Sequence, residues 1–149
     1  MRITDSLTLF NEMFGHGKAV FSIVSTRTQN RKTFQVERAP ERRGSGLAWF
    51  VSQLTGPDNR LSYTYLLMVT ARGNEDVPQM RLTAKSPVGG FDHEAVRSFR
   101  WLFRNAIRDL DTLGQAEVWL ACNCSRCGRL LTVPESIAVR LGPYCRGVS

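Results

Sequence analysis

The chain has 149 residues, 42% of them hydrophobic, which suits one globular domain with a modest core and at most a small appendage. Twenty basic against thirteen acidic residues leave a formal charge of +7, which points toward anionic partners such as nucleic acid or an acidic protein surface. No stretch approaches the ~20 apolar residues that cross a bilayer, and "MRITDSLTLFNEMFG" lacks the basic start, apolar centre and cleavage site of a secretory signal.

Asp5 is expected to cap a short helix over Ser6 to Phe14, with Gly15 as its stop. "KAVFSIVSTRT" (18–28) reads as a strand from its β-branched and aromatic content, "QNRK" as a turn and "TFQVERA" (33–39) as a second strand. After the loop "PERRGSG" come "LAWFVSQL" (47–54), the turn "TGPDNR" and "LSYTYLLMVTA" (61–71). "RGNEDVPQ" is a polar loop, "MRLTAK" (80–85) a further strand and "SPVGG" (86–90) a connecting loop. Short consecutive strands with tight turns indicate an antiparallel meander, not parallel βαβ units.

The strongest helical periodicity covers residues 92–113. At about 100° per residue, Ala95, Phe99, Leu102, Ala106, Leu110 and Leu113 share one face. Arg97, Trp101, Arg104 and Arg108 lie opposite, with Arg100 beside them, and Asp92 is the expected cap. "QAEVWLA" (115–121) is a last strand. The predicted fold is therefore α+β: an antiparallel meander on one long amphipathic helix over residues 1–116, followed by a cysteine-bearing module over 117–149.

That module holds all four cysteines in "CNCSRCGRLLTVPESIAVRLGPYCRG" (122–147). Cys124 and Cys127 form C-x-x-C-G, a spacing that lets two thiolates grip one ion from a tight turn. Gly128 suits the positive φ such a turn needs. Cys145 returns at a second turn after Gly142 and Pro143, beyond a helix expected to start at Pro134 and stop at Gly142. In the reducing, cytoplasmic setting expected here, clustered cysteines bind metal more often than they form disulfides. Zn2+ suits such thiolates best, as a structural ion. Cys122 is the expected fourth ligand, since i and i+2 share a strand face. His16, His93, an external ligand, a three-cysteine or metal-free site and disulfides are the alternatives.

Residues 124–145 resemble the C-terminal zinc-ribbon-like domain of an uncharacterised group of small bacteriophage and bacterial proteins. The likeness is carried by Gly128, Arg129, Leu131, Thr132, Pro134, Ser136, Ile137, Gly142 and Pro143 around the cysteines. Strand stretches upstream are similar in a less distinctive way. The group often has a histidine near the position of Leu120, and its absence here leaves Cys122 as the replacement. The resemblance implies a zinc-binding accessory protein of a phage or mobile element and brings no activity with it.

Two functions follow as expectations. The first is nucleic-acid binding through Arg97, Arg100, Trp101, Arg104 and Arg108 on the helix and Arg126 and Arg129 on the cysteine turn. Guanidinium groups pair with phosphates, and an exposed tryptophan stacks on unpaired bases. The second is a protein-binding adaptor, or an inhibitor of an acidic host protein or nucleoprotein (defence) complex, stiffened by structural zinc. An enzyme is not expected: no phosphate loop, H-E-x-x-H or G-x-S-x-G occurs, and no catalytic residue or small-molecule substrate is assigned.

Overall fold

A computed structural model of the protein describes residues 1–40, 46–72, 77–108 and 113–147. The elements run β1 (Arg2–Ile3), α1 (Ser6–Phe14), β2 (Lys18–Ser25), β3 (Arg31–Arg38), β4 (Leu47–Leu54), β5 (Tyr63–Ala71), β6 (Gln79–Arg81), α2 (Glu94–Arg108), β7 (Ala116–Leu120), β8 (Cys122–Asn123), β9 (Leu130–Leu131) and α3 (Pro134–Val139). The fold class is α+β, as expected. Parts of the predicted loops (residues 41–45 and 73–76), the side chain of Arg108 and the last predicted helical turn with Leu110 lie outside the described residues.

Seven strands form one sheet in the order β1-β7-β2-β3-β4-β5-β6, and every pairing is antiparallel. Strands β2 to β6 are the expected meander, built from local hairpins. β7 departs from it: after α2 the chain returns and pairs on the free side of β2, placing Val118 beside Ile23 and Trp119 beside Ser22. β1 then pairs with the outer edge of β7. The large sheet thus takes in residues 116–120, and the cysteine module begins at Cys122.

Alternation along the strands sends two sets of side chains to opposite faces. Phe21, Ile23, Phe34, Val36, Val51, Leu67, Val69 and Val118 face one way and bury against α1 and α2. Leu9 and Met13 from α1, and Ala95, Val96, Phe99, Leu102, Phe103 and Ala106 from α2, complete that core. The amphipathic face read from the sequence is therefore the packed one, though α1 shares the task. Ser22, Thr33 and Trp119 point the other way, into the layer formed by the cysteine module. There Ser22 Oγ donates to Thr132 O (2.6 Å) and lies 2.7 Å from Thr33 Oγ1, so these buried polar groups are satisfied. The result is three layers: two helices, the sheet, and the cysteine module.

Helix ends follow local chemistry with two corrections. Asp5 caps α1 as expected, accepting from Thr8 N (2.8 Å) and from Thr8 Oγ1 (2.9 Å). The backbone donor, first, and the hydroxyl hold its carboxyl below the usual range. Asp92, the expected cap of α2, sits instead in a 3-10 turn over Gly90–Asp92. His93 follows in extended conformation, and its Nδ1 accepts from Ala95 N (3.2 Å), so the imidazole does the capping. The stop of α3 is not Gly142 but Arg140, which adopts a left-handed conformation (φ 58°, ψ 30°) unusual for a residue with a side chain. Its carbonyl is thereby turned to accept from Ser125 N (2.9 Å) and Ser125 Oγ (3.1 Å) in the first cysteine turn.

Candidate metal centre

Cys124, Ser125, Arg126 and Cys127 form a tight turn between β8 and β9, closed by Gly128 N donating to Cys124 O (2.9 Å). Gly128 takes φ +75°, the positive value expected of it, and a Cβ there would meet nothing within 4 Å. Its constraint is purely conformational. Gly128→Ala is expected to cost about 1–2 kcal/mol of module stability, read by denaturant unfolding of the metal-loaded protein, because the left-handed region penalises a side chain.

A second turn, residues 142–145, brings Cys145 back against the first. The sulfurs of Cys124, Cys127 and Cys145 all lie within 4.8 Å of one another. A tetrahedral zinc with bonds of about 2.3 Å holds its sulfurs about 3.8 Å apart, so closure needs shifts of about 1 Å or less. Arg126 Nη1 donates to Cys145 O (3.3 Å) and clips the two turns together. Cys124 is buried, Cys145 half-buried and Cys127 exposed.

Cys122 does not join this group. Positions i and i+2 share a face only along a strand, but β8 ends at Asn123 and Cys124 already belongs to the turn, so the strand rule does not bring the two sulfurs together. The Cys122 sulfur lies 4.0 Å from the carbonyl of Ile137 in α3. His93 is engaged at the start of α2, and His16 Nε2 lies 3.2 Å from Glu12 Oε2, so neither histidine completes the set. All four cysteines are free thiols, not disulfides.

The electrostatics of the triad favour anionic sulfur at one corner. Backbone N–H groups of Cys127, Gly142 and Arg126, with a smaller contribution from the Cys127 thiol, hold Cys124 down to about 6 from an ordinary 9.0, against the opposing effect of burial. Cys145 is pushed up to about 11, first by hydrogen bonding with Cys127 and then with Cys124, and further by burial and by the neighbouring charges. In metal-free protein the depressed Cys124 value contributes stability above pH 9 that is lost as pH falls through 6. The raised Cys145 value contributes below pH 9 and is lost as pH rises through 11. Metal displaces thiol protons.

The module is anchored by contacts that sequence reading missed. The β4–β5 turn, legible only as a turn, clamps it: Asn59 Nδ2 donates to Leu130 O (2.8 Å), and Arg60 Nη2 donates to Asn123 Oδ1 (3.3 Å) and Gly128 O (3.2 Å). These partners are about 60–70 residues apart, and no local pattern signals them. Cys124, Leu131 and Ile137 form a small second core with Trp119, Cys122, Leu141 and Cys145 packed against it, so Cys122 adjoins the triad without joining it.

The arginines expected to form one surface are divided. Arg97 and Arg104 are exposed on the outer side of α2, with half-buried Trp101 between them. Arg100 stacks its guanidinium 5.3 Å from the ring centre of Phe91. Arg126 and Arg129 are exposed on the cysteine turn, in the layer across the sheet from α2.

Residues 120–148 match the model of a family of unknown function (DUF6011), a span that contains both cysteine turns and α3. No curated protein and no solved structure matches the chain. Among the described residues, no helix is long and apolar enough to cross a membrane.

Proposed function

We propose that this is a nucleic-acid-binding protein, not an enzyme, that engages phosphates through the outer side of α2 and is stiffened by a structural zinc ion held by Cys124, Cys127 and Cys145. The observation that carries the reading is the pair Arg97 and Arg104. Both are exposed, neither is held in an ion pair among the described residues, and they flank Trp101 on a chain of net charge +7. Guanidinium groups in this state are free to pair with phosphates. Thiolate donors suit zinc, and no histidine or carboxylate joins the three sulfurs among the described residues.

Fluorescence anisotropy with a labelled oligonucleotide across a salt series tests the reading. The logarithm of affinity should fall linearly with that of salt, and Arg97→Ala or Arg104→Ala should each lower the slope by about 0.7–0.9. A flat salt response, or slopes unchanged in both variants, overturns it. Elemental analysis tests the metal: one zinc per chain is expected.

A further inference from the structure

We propose that the cleft between the β2–β3 turn and α2 receives one unstacked base of a single-stranded nucleic acid, with Trp101 as its stacking surface. This rests on the nucleic-acid reading above and adds to it a strand type and a base site.

The cleft has a volume of about 270 Å³. Pockets for drug-sized ligands run from about 300 to 1,000 Å³, so this one is scaled to a single ring system. Its floor is Ile23 and Ala116, on adjoining strands of the helix-covered sheet face. One wall is α2, contributing Ser98 and Trp101; the other is the β2–β3 turn, contributing Thr28 and Asn30, with Gln115 closing the end. An apolar floor, an aromatic wall and amide groups at the rim are what a base requires: faces to stack and edges to hydrogen-bond. The side-chain amides of Asn30 and Gln115 are exposed and make no hydrogen bond within the protein among the described residues. They remain available to a ligand.

The turn is held in place from both ends. Thr26 Oγ1 donates to Gln115 O (2.9 Å), and Lys32 Nζ donates to Glu94 Oε1 (2.9 Å), tying β3 to the first turn of α2. Lys32 is thereby neutralised, so the cleft itself carries no free cation. Positive charge stands outside it. Arg97 and Arg104 lie within about 60° of Trp101 around the helix, on its solvent side, and Arg27 is exposed at the β2–β3 turn. A neutral slot bordered by arginines separates base from backbone, with the ring entering and the phosphates remaining at the rim. Duplex bases are stacked and cannot enter such a slot, which selects single strands. The predicted "QNRK" turn and the predicted arginine stripe, distant in sequence, border this one site.

The test compares three labelled probes of about twelve nucleotides on the full, zinc-loaded chain: a thymidine single strand, the same strand with abasic sugars, and a duplex. The thymidine strand should bind roughly 5- to 150-fold more tightly than its abasic counterpart, the range that one stacked base supplies. Their salt slopes should be equal. Trp101→Ala should erase the difference and leave the slope intact. Because Trp101 also packs on the core, Asn30→Ala at the exposed turn is the second variant. It should narrow the difference several-fold without altering the fold. Equal binding of thymidine and abasic strands by the native protein overturns the cleft proposal while leaving the charge-driven reading standing. Binding to none of the three overturns both.

Discussion

Stripping zinc with a strong chelator is expected to unfold residues 122–147 and to leave α2 and the seven-stranded sheet folded. The fully buried side chains of the module are few, with Leu131 and Ile137 the only large aliphatic ones. Burial of each contributes about 1.5–3 kcal/mol. Ordering each residue costs about 1–2 kcal/mol, and its strands β8 and β9 are two residues each. A core this small is commonly held by a metal or disulfides, and here the sulfurs are free. Hydrogen exchange reads the outcome: the amides of Gly128 and Ile137 should lose protection on chelation, while those of Phe99 and Phe21 keep it. Cys124→Ser and Cys127→Ser should reproduce the chelated state. Cys122→Ser should retain one zinc and cost no more than about 1 kcal/mol, since its sulfur lies against Ile137 O instead of the other three. Loss of zinc from Cys122→Ser would show that Cys122 turns in to bind it. Unchanged protection at Gly128 after chelation would show that the module stands without metal.

Phe99→Ala is expected to cost about 3–5 kcal/mol, a large share of the roughly 5–15 kcal/mol that holds a domain folded, and to lower the urea midpoint accordingly. Phe99 is fully buried, with its ring centre 5.7 Å from that of Phe34 on the sheet and 6.3 Å from that of Phe103 along the helix. Truncation removes the side chain that joins α2 to the centre of the sheet and leaves a cavity that neighbours on rigid elements cannot fill. Arg104→Ala, five residues away on the outer side, should fall within about 0.5 kcal/mol of the native protein in urea unfolding. A large loss of stability in Arg104→Ala would make that arginine part of the fold, and its use for phosphate contact would fall with it. The contrast between the two positions separates the packed side of α2 from the side assigned to binding.

The features legible in the sequence are those set by near neighbours. β4 spans the expected Leu47–Leu54, because the strand-forming run Trp49, Phe50 and Val51 stands between glycine-containing turns. The cap at Asp5, the buried face of α2 and the positive φ of Gly128 are likewise written in residues within four positions of one another. β1 was not legible: two residues carry no periodicity, and the strand exists only because β7 offers an edge. Asp92 fits the capping pattern better than His93 does, and only the 3-10 turn after Gly89 removes it from contention.

The sequence by itself determined the fold class, the strands of the meander, the packed side of α2 and the stretch in which cysteine sulfurs converge. Hydrophobic periodicity and C-x-x-C spacing act over a few residues, so a linear reading captures them. The tertiary structure alone decided that β7 enters beside β2, that three sulfurs converge while Cys122 does not, and that the arginines of α2 and of the cysteine turn lie on opposite sides of the sheet. Each depends on contacts between residues far apart along the chain. Their geometry is set by which layers bury which faces, and no local pattern records that.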